Sequence, residues 1–250
     1  MARKTLAFLL ATCDEDSRHF ERKLDEFTRL GYPFTVNFDR CCDETKRLFK
    51  SHPCYLGGYE QDDSDRPFGE ADRQRALDVI VQYGGFDWAA YTDTDEVFDK
   101  RAAEMLPELL EWDVDEITCS RVELWGEDGE WRRLDGPFAY PGELCRRFYN
   151  LQTGTWKYKH ADVHAPYFQI NELVRRARGK VEYREKHCDL TVLHYSMRNM
   201  EDCRKHAKRW TDCYVRALGK MPYQGFYDWL VSTEPTVVPF DRETWEGHPR

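Results

Sequence analysis

The chain has 250 residues, enough to bury a large hydrophobic core without disulfide or metal support. With 41% hydrophobic and 33% charged residues and no low-complexity tract, its composition excludes disordered and fibrous classes, and no apolar run approaches the ~18 residues of a membrane-spanning helix. A formal net charge of −9 argues against general affinity for nucleic acid or anionic membranes, which is driven by Lys and Arg.

In chain order, Leu6 to Thr12 is an apolar run that predicts a buried strand, although Arg3 and Lys4 before it imitate the charged start of a targeting segment. Phe20, Leu24, Phe27 and Leu30 recur at helical spacing and stop at Gly31. Phe34 to Phe38 predicts a second strand, followed by a polar loop, then a third strand over Cys54 to Tyr59. Ala71 to Tyr83 is helical, with Leu77, Ile80 and Val81 on one face and Gly84-Gly85 as its stop. Phe86 to Tyr91 predicts a buried strand running into Thr92-Asp93-Thr94-Asp95-Glu96. Next come a helix over Ala102 to Leu110 and a strand over Ile117 to Trp125. Between Gly126 and Pro166 Gly- and Pro-punctuated loops are expected. A helix near Asn171 to Arg178, a strand at Leu190 to His194 and a helix from Met200 to Leu218 close the pattern. Alternation of this kind predicts an α/β domain over residues 1–220 with a C-terminal extension, 221–250, packed on it or partly flexible.

The nine cysteines, an odd number without a C-x-x-C pair, fit a reducing compartment, so a cytoplasmic location is expected, and none is read as catalytic. Charge is uneven. Thirteen Lys/Arg against seven Asp/Glu lie between Glu172 and Lys220, where an anionic ligand would be favoured.

Asp93, Asp95 and Glu96 sit where an apolar strand ends, the edge at which open α/β sheets bind ligands. Carboxylates this close repel one another unless a cation joins them, and oxygen donors suit Mg2+ or Mn2+, which in turn bridge phosphate oxygens. An acidic turn capping the next helix is the alternative.

The D-x-D-E at Asp93 to Glu96, the strand Leu6 to Thr12, and Asp39, Asp43 and Thr45 as a D-x-x-x-D-x-T pattern after the second strand together resemble family 2 glycosyltransferases and relatives with the GT-A fold, over roughly residues 5 to 210. The resemblance implies a mixed, mostly parallel sheet flanked by helices, with a Rossmann-like nucleotide-binding half. It also implies transfer of a sugar from a nucleoside-diphosphate sugar, UDP-linked, to an acceptor such as a glycan, lipid, protein or modified nucleobase. It places Thr12 and Asp39 near the base, Arg73 or Arg75 near base or phosphate, Asp93 on the ribose side and Asp95 on the metal. Asp39 can accept an N–H from a pyrimidine, and an Arg fork can hold a carbonyl or phosphate. Arg73 and Arg75, two apart on a helix, point to different faces, so at most one is expected to reach the ligand.

Leu190 to Ser196 carries an H-Y pair as in that group, so His194 is expected to complete the metal shell with Asp93 and Asp95 or to touch the diphosphate. Arg198, Lys205 or Lys208 would balance phosphate charge. His160 and His164 suit loop contacts to the sugars better than a zinc pair, because the H-E-x-x-H glutamate is missing and Pro166 follows. One departure matters. Where inverting relatives place a Glu-Asp pair before an L-x-x-R helix, this chain has Gln169-Ile170 before Leu173-Val-Arg-Arg176, and neither can take a proton. A base would come from Glu172, Asp135, Glu143 or Asp162; failing that, a retaining mechanism returns. A nucleotidyltransferase would use a similar carboxylate-held metal, but Cys13-Asp14-Glu15-Asp16 replaces the glycine-rich phosphate loop such enzymes carry. A third reading is a non-catalytic nucleotide- or glycan-binding module.

Overall fold

The computed structural model describes residues 4–61, 70–134, 143–159, 167–170, 182–218, 221 and 224–241. Strand β1 (Leu6–Thr12) is buried along its whole length and lies between β2 (Phe34–Asp39) and β4 (Trp88–Asp93), parallel to both. A run buried on both faces reads as continuously apolar, which is why Leu6 to Ala11 shows no alternation. Beyond β2 lies β3 (Tyr55–Gln61), also parallel.

On the other side of β4 the sheet turns antiparallel through β8 (Glu143–Asn150), which pairs in turn with β6 (Glu116–Trp125). The edge is completed by β7 (Trp131–Arg133) and β12 (Val237–Pro239). A long β11 (Glu185–Met197) runs parallel to β6 and antiparallel to the three-residue β5 (Glu96–Phe98). These strands make a ten-stranded sheet among the described residues, with β9 (Trp156–Lys159) and β10 (Tyr167–Ile170) forming a separate hairpin. The mixed sheet, parallel through β3-β2-β1-β4 and flanked by helices, is the architecture the sequence predicts.

Helices cover both faces of the parallel half. On one side α1 (Phe20–Leu30), α2 (Asp43–Lys50) and α4 (Ala102–Leu109) bury Phe20, Phe27, Phe49 and Leu106 against Phe8, Leu10, Phe34 and Phe38. Phe27 stacks on Phe34 with ring centroids 4.1 Å apart. Each such ring removed from water contributes about 1.5–3 kcal/mol. On the other side α3 (Glu70–Tyr83) lays Ala76, Leu77 and Ile80 over Ala7, Leu9 and Tyr91. Gly31 ends α1 in the left-handed region, φ +69°, donating its N–H to the Phe27 carbonyl, as its place in the sequence predicts.

Four expectations need correction. The polar loop after β2 contains α2, whose buried anchors are only Thr45 and Phe49 and so leave little periodic signal. The stretch 126–166 is not loop throughout: β7, β8 and β9 lie in it, β7 and β8 joined to the main sheet and β9 to β10. The strand before the carboxylates runs from Trp88 to Asp93 rather than from Phe86 to Tyr91, so Asp93 is its last residue, at the strand end where the acids are expected. His194 does not end its strand, since β11 continues to Met197. In the C-terminal extension, α6 (Gln224–Ser232) buries Tyr227 and Leu230 beside Met197 and Cys203, the latter on α5 (Met200–Leu218), and β12 joins the sheet. The expected helix at 171–178 lies outside the described residues. No helix among those described is long and apolar enough to cross a membrane.

Gly58 on β3 gives one direct test of the sheet. A Cβ there would sit 2.5 Å from the carbonyl oxygen of Val36, a backbone atom held by the β2–β3 pairing. Gly58→Ala is expected to lose roughly 1–3 kcal/mol by overpacking. Urea unfolding measures it, and an unchanged midpoint would contradict the close approach.

Candidate nucleotide and metal site

The parallel strands β1, β2 and β4 end together, with Thr12 opposite Phe38 and Ala11 opposite Asp93. The turn that follows β4 is pinned on both sides. Thr94 donates its hydroxyl to the Ala11 carbonyl at 2.8 Å, and the Asp95 carbonyl accepts the N–H of Tyr195 at 2.8 Å. Asp93 and Asp95 are thereby presented at the carboxyl edge, while Thr94 between them is buried.

Of the three carboxylates in the D-x-D-E, Glu96 is removed from solvent and from the ligand edge. Arg147 of β8 grips it with both arms, Nη1 at 2.7 Å and Nη2 at 2.6 Å, and Glu96 Oε2 also accepts the Asp93 N–H at 3.0 Å. Burial opposes its charge, but Arg147, His194 and Arg121 together outweigh burial and keep Glu96 below its ordinary value. It builds the turn rather than joining a cation cluster.

Asp93 accepts a hydrogen bond from the Tyr91 hydroxyl through Oδ1. Asp95, half-buried, lies 3.2 Å from Nε2 of His194, whose Nδ1 lies 2.6 Å from Glu123 on β6. Burial opposes charge on both partners, yet Glu123 and Asp95 hold the imidazole pKa well above its ordinary value, and His194 holds Asp95 well below its own. Each ring nitrogen thus faces a carboxylate, and His194 stands behind Asp95. The residues meet because His194 pairs with Glu96 across the antiparallel β5–β11 ladder and with Glu123 in the parallel β6–β11 ladder.

A further acid joins this edge from the 3-10 turn Asp14–His19 after β1. The Asp16 carboxyl is pushed up to about 7, first by burial and then by the nearby charge of Asp95, with Asp93 adding to it. Beside it Cys13 donates to Asp16 at 3.1 Å and accepts from Arg209 at 3.3 Å; burial and Asp16 push its thiol up, which disfavours a nucleophilic thiolate. Burial, reinforced by Arg18 and Arg22 and opposed by Asp95, holds His19 down to about 4. Sequence reading placed Asp16 only in an acidic run. Its position after β1, at the same edge as Asp95, is the available signal; Glu123 and Arg147 have none, because Glu123 arrives through the pairing of β6 with the distant β11 and Arg147 through the antiparallel pairing of β8 with β4.

The raised Asp16 has a measurable consequence. An acid whose folded pKa lies above its unfolded value keeps a proton that the unfolded chain has released, so its contribution declines as pH rises from 3.8 to about 7. In chelator, Asp16→Asn is expected to gain stability over the wild type progressively across that window. Thermal unfolding at stepped pH reads it, and a constant difference would contradict the assignment.

The other sequence candidates divide. Asp39, buried at the end of β2, is held by its neighbour Arg40 through two bonds of 2.8 and 2.7 Å, with Arg40 at φ +52°. Strand alternation puts Asp39 and Asp93 on the face covered by α3, where the Arg75 guanidinium lies 4.2 Å from the centre of the Tyr59 ring. Thr12 is buried and faces the opposite side, toward α1 and α2. Thr45 donates to Asp14 at 2.6 Å and fixes the turn after β1. Arg198 is engaged by Asp202 at 2.7 Å and Glu127 at 3.1 Å, Lys205 by Glu201 and Lys208 by Asp212, so each of these cations already has a carboxylate. Asp135, Glu172, Asp162, His160, His164 and Arg176, and the side chains of Arg73 and Glu143, lie outside the described residues.

No three acidic, histidine or cysteine side chains among the described residues converge closely enough to hold an ion alone. The donor set nevertheless suits a hard divalent cation. Mg2+ is commonly held by one or two carboxylates and completed by substrate phosphates and water, and Asp95 with Asp93 offers that number of oxygen donors.

No family model matches the chain, and no curated protein does. Among solved structures it is similar to S. aureus TarS residues 1–349, with TM-score 0.49 and 9% identity, covering 91% of this chain and 69% of that one. S. aureus TarS in a longer form gives TM-score 0.43 and 10% identity over 91% of this chain and 42% of that one. A Bacillus anthracis structure assigned as a glucose-1-phosphate thymidylyltransferase, in complex with sucrose, gives TM-score 0.36 and 8% identity over 47% and 55%. The GT-A-like character of the fold rests on the sheet itself, parallel through β3-β2-β1-β4 with the D-x-D turn at its edge and antiparallel strands beyond.

Proposed function

We propose that the chain is a metal-dependent glycosyltransferase that takes a sugar from a nucleoside-diphosphate sugar, with UDP as the carrier, and passes it to an acceptor hydroxyl. The observation that carries this reading is the Asp95 carboxylate, presented by a pinned turn at the carboxyl edge of a parallel sheet and backed by the His194–Glu123 pair. A bound Mn2+ or Mg2+ would supply charge neutralisation of the leaving diphosphate.

The chain's own residues would divide the remaining work. Asp95 and Asp93 would hold the cation, Asp93 with one oxygen already oriented by Tyr91. Glu123 and His194 would keep Asp95 ionised and aimed, the supporting role that outer groups play around metal ligands. Asp39 would accept the N–H of a uracil, its carboxylate fixed by Arg40, and Arg75 on the same face would meet base or phosphate. Arg73 would lie along the diphosphate, and Glu172 or Asp135 would supply the base of an inverting reaction.

Incubation with a panel of nucleotide sugars and Mn2+ tests the reading. Slow, chelator-sensitive release of sugar from UDP-sugars is expected. Pyrophosphate release from a nucleoside triphosphate and sugar phosphate would make the chain a nucleotidyltransferase, and no turnover with retained nucleotide binding would make it a binding module.

A further inference from the structure

We propose that Lys23 and Glu26, a buried ion pair on α1, are positioning residues for the carboxylate turn; this rests on the reading of Asp93 and Asp95 as the cation-binding acids. Lysine is almost never wholly removed from water unless it is paired, and Lys23 is 0% exposed. Its Nζ lies 2.8 Å from Glu26 Oε2 and 2.7 Å from Thr92 Oγ1. The other oxygen of Glu26 accepts the backbone N–H of Phe98 at 2.5 Å. Thr92 immediately precedes Asp93, and Phe98 lies three residues after Asp95. A single ion pair therefore grips both ends of the segment 93–97.

The pair stands at i and i+3 on α1, so both side chains leave one face of the helix toward the sheet. Arg147 grips the same segment independently, through Glu96 and the Tyr91 carbonyl. Core stability alone does not call for a charge here, because apolar side chains of similar volume commonly replace a buried ion pair at no cost. What an apolar pair cannot do is hold a threonine hydroxyl and a backbone N–H at fixed positions. The chemistry of the pair thus matches a directional task, setting the path of the turn that presents Asp93 and Asp95, better than a packing one.

The double variant Lys23→Met/Glu26→Leu separates the two roles. It is expected to fold, with a lowered unfolding midpoint because the Phe98 N–H loses its acceptor inside the protein. In the metal-free protein, amide exchange over residues 93–98 should rise about tenfold while β1 and β2 keep their protection, since the exchange rate follows the local opening equilibrium. In donor hydrolysis the Mn2+ half-saturation should rise about tenfold, the size of effect seen when an outer support of a metal ligand is lost, with the donor KM at saturating Mn2+ little changed. Thr92→Val, which removes one hydroxyl and keeps the shape, should shift exchange and Mn2+ half-saturation in the same direction, and decides the matter if the double variant does not fold. Unchanged exchange and unchanged Mn2+ dependence in a folded variant would overturn the proposal. A wild type without Mn2+-dependent donor turnover would instead overturn the functional reading, and the exchange experiment would then still decide the clamp.

Discussion

Asp95→Ala is expected to lower Mn2+-dependent turnover of the donor by at least about a hundredfold, beyond the 10- to 100-fold typical of losing an outer support alone. The reason is the position of the carboxylate. It follows β4 at the ligand edge, its backbone carbonyl is fixed by Tyr195, and its side chain is oriented by His194. Stability should change little, because the substitution removes the charge that raises Asp16 as well as the partner of His194. Steady-state rates with and without Mn2+, together with a urea midpoint, measure both effects. Retention of wild-type turnover by a folded Asp95→Ala protein would remove this acid from the chemistry.

The second large effect is on stability. Arg147 and Glu96 form a two-armed pair in the interior, with side-chain exposures of 5% and 2%. Arg147→Met leaves Glu96 as an uncompensated buried charge, and the expected loss is about 3–5 kcal/mol. The Tyr91 carbonyl loses a donor as well, and the N–H of Asp93 is left bound to an acid no longer held in place. Equilibrium denaturation gives the value, and Glu96→Leu/Arg147→Met should recover part of it by removing both charges. A single substitution costing less than about 1 kcal/mol would mean that the pair is solvated.

The parallel half of the fold was legible because its residues obey one rule each. Leu6 to Thr12 is apolar on both faces, and Phe27 and Leu30 repeat at helical spacing before a glycine that ends the helix. The antiparallel half was not legible, because β8 pairs with β4 and β7 with β12, each far away in the chain, and both carry charged residues such as Arg133 and Arg147 in buried positions. The site shows the same division. The D-x-D and its strand could be read locally, and His194 was singled out for the right neighbourhood, although it reaches Asp95 through the antiparallel β5–β11 pairing and not as the last residue of a parallel strand. Glu96 resembled its two acidic neighbours in sequence and separates from them only through Arg147, fifty-one residues on. Lys23 stands three residues after Phe20 and four before Phe27, so helical spacing puts it on the buried stripe of α1; its charge hides this, and its partners emerge only where α1 packs on β4 and β5.

Calorimetric titration of the protein with UDP, with and without Mn2+, tests the central claim most directly. Binding is expected to tighten at least about tenfold with Mn2+, because the cation would join the carboxylates to the phosphates, and to revert on adding chelator or on Asp95→Ala. Equal UDP affinity with and without the metal, or tighter binding of a purine diphosphate than of UDP, would contradict it.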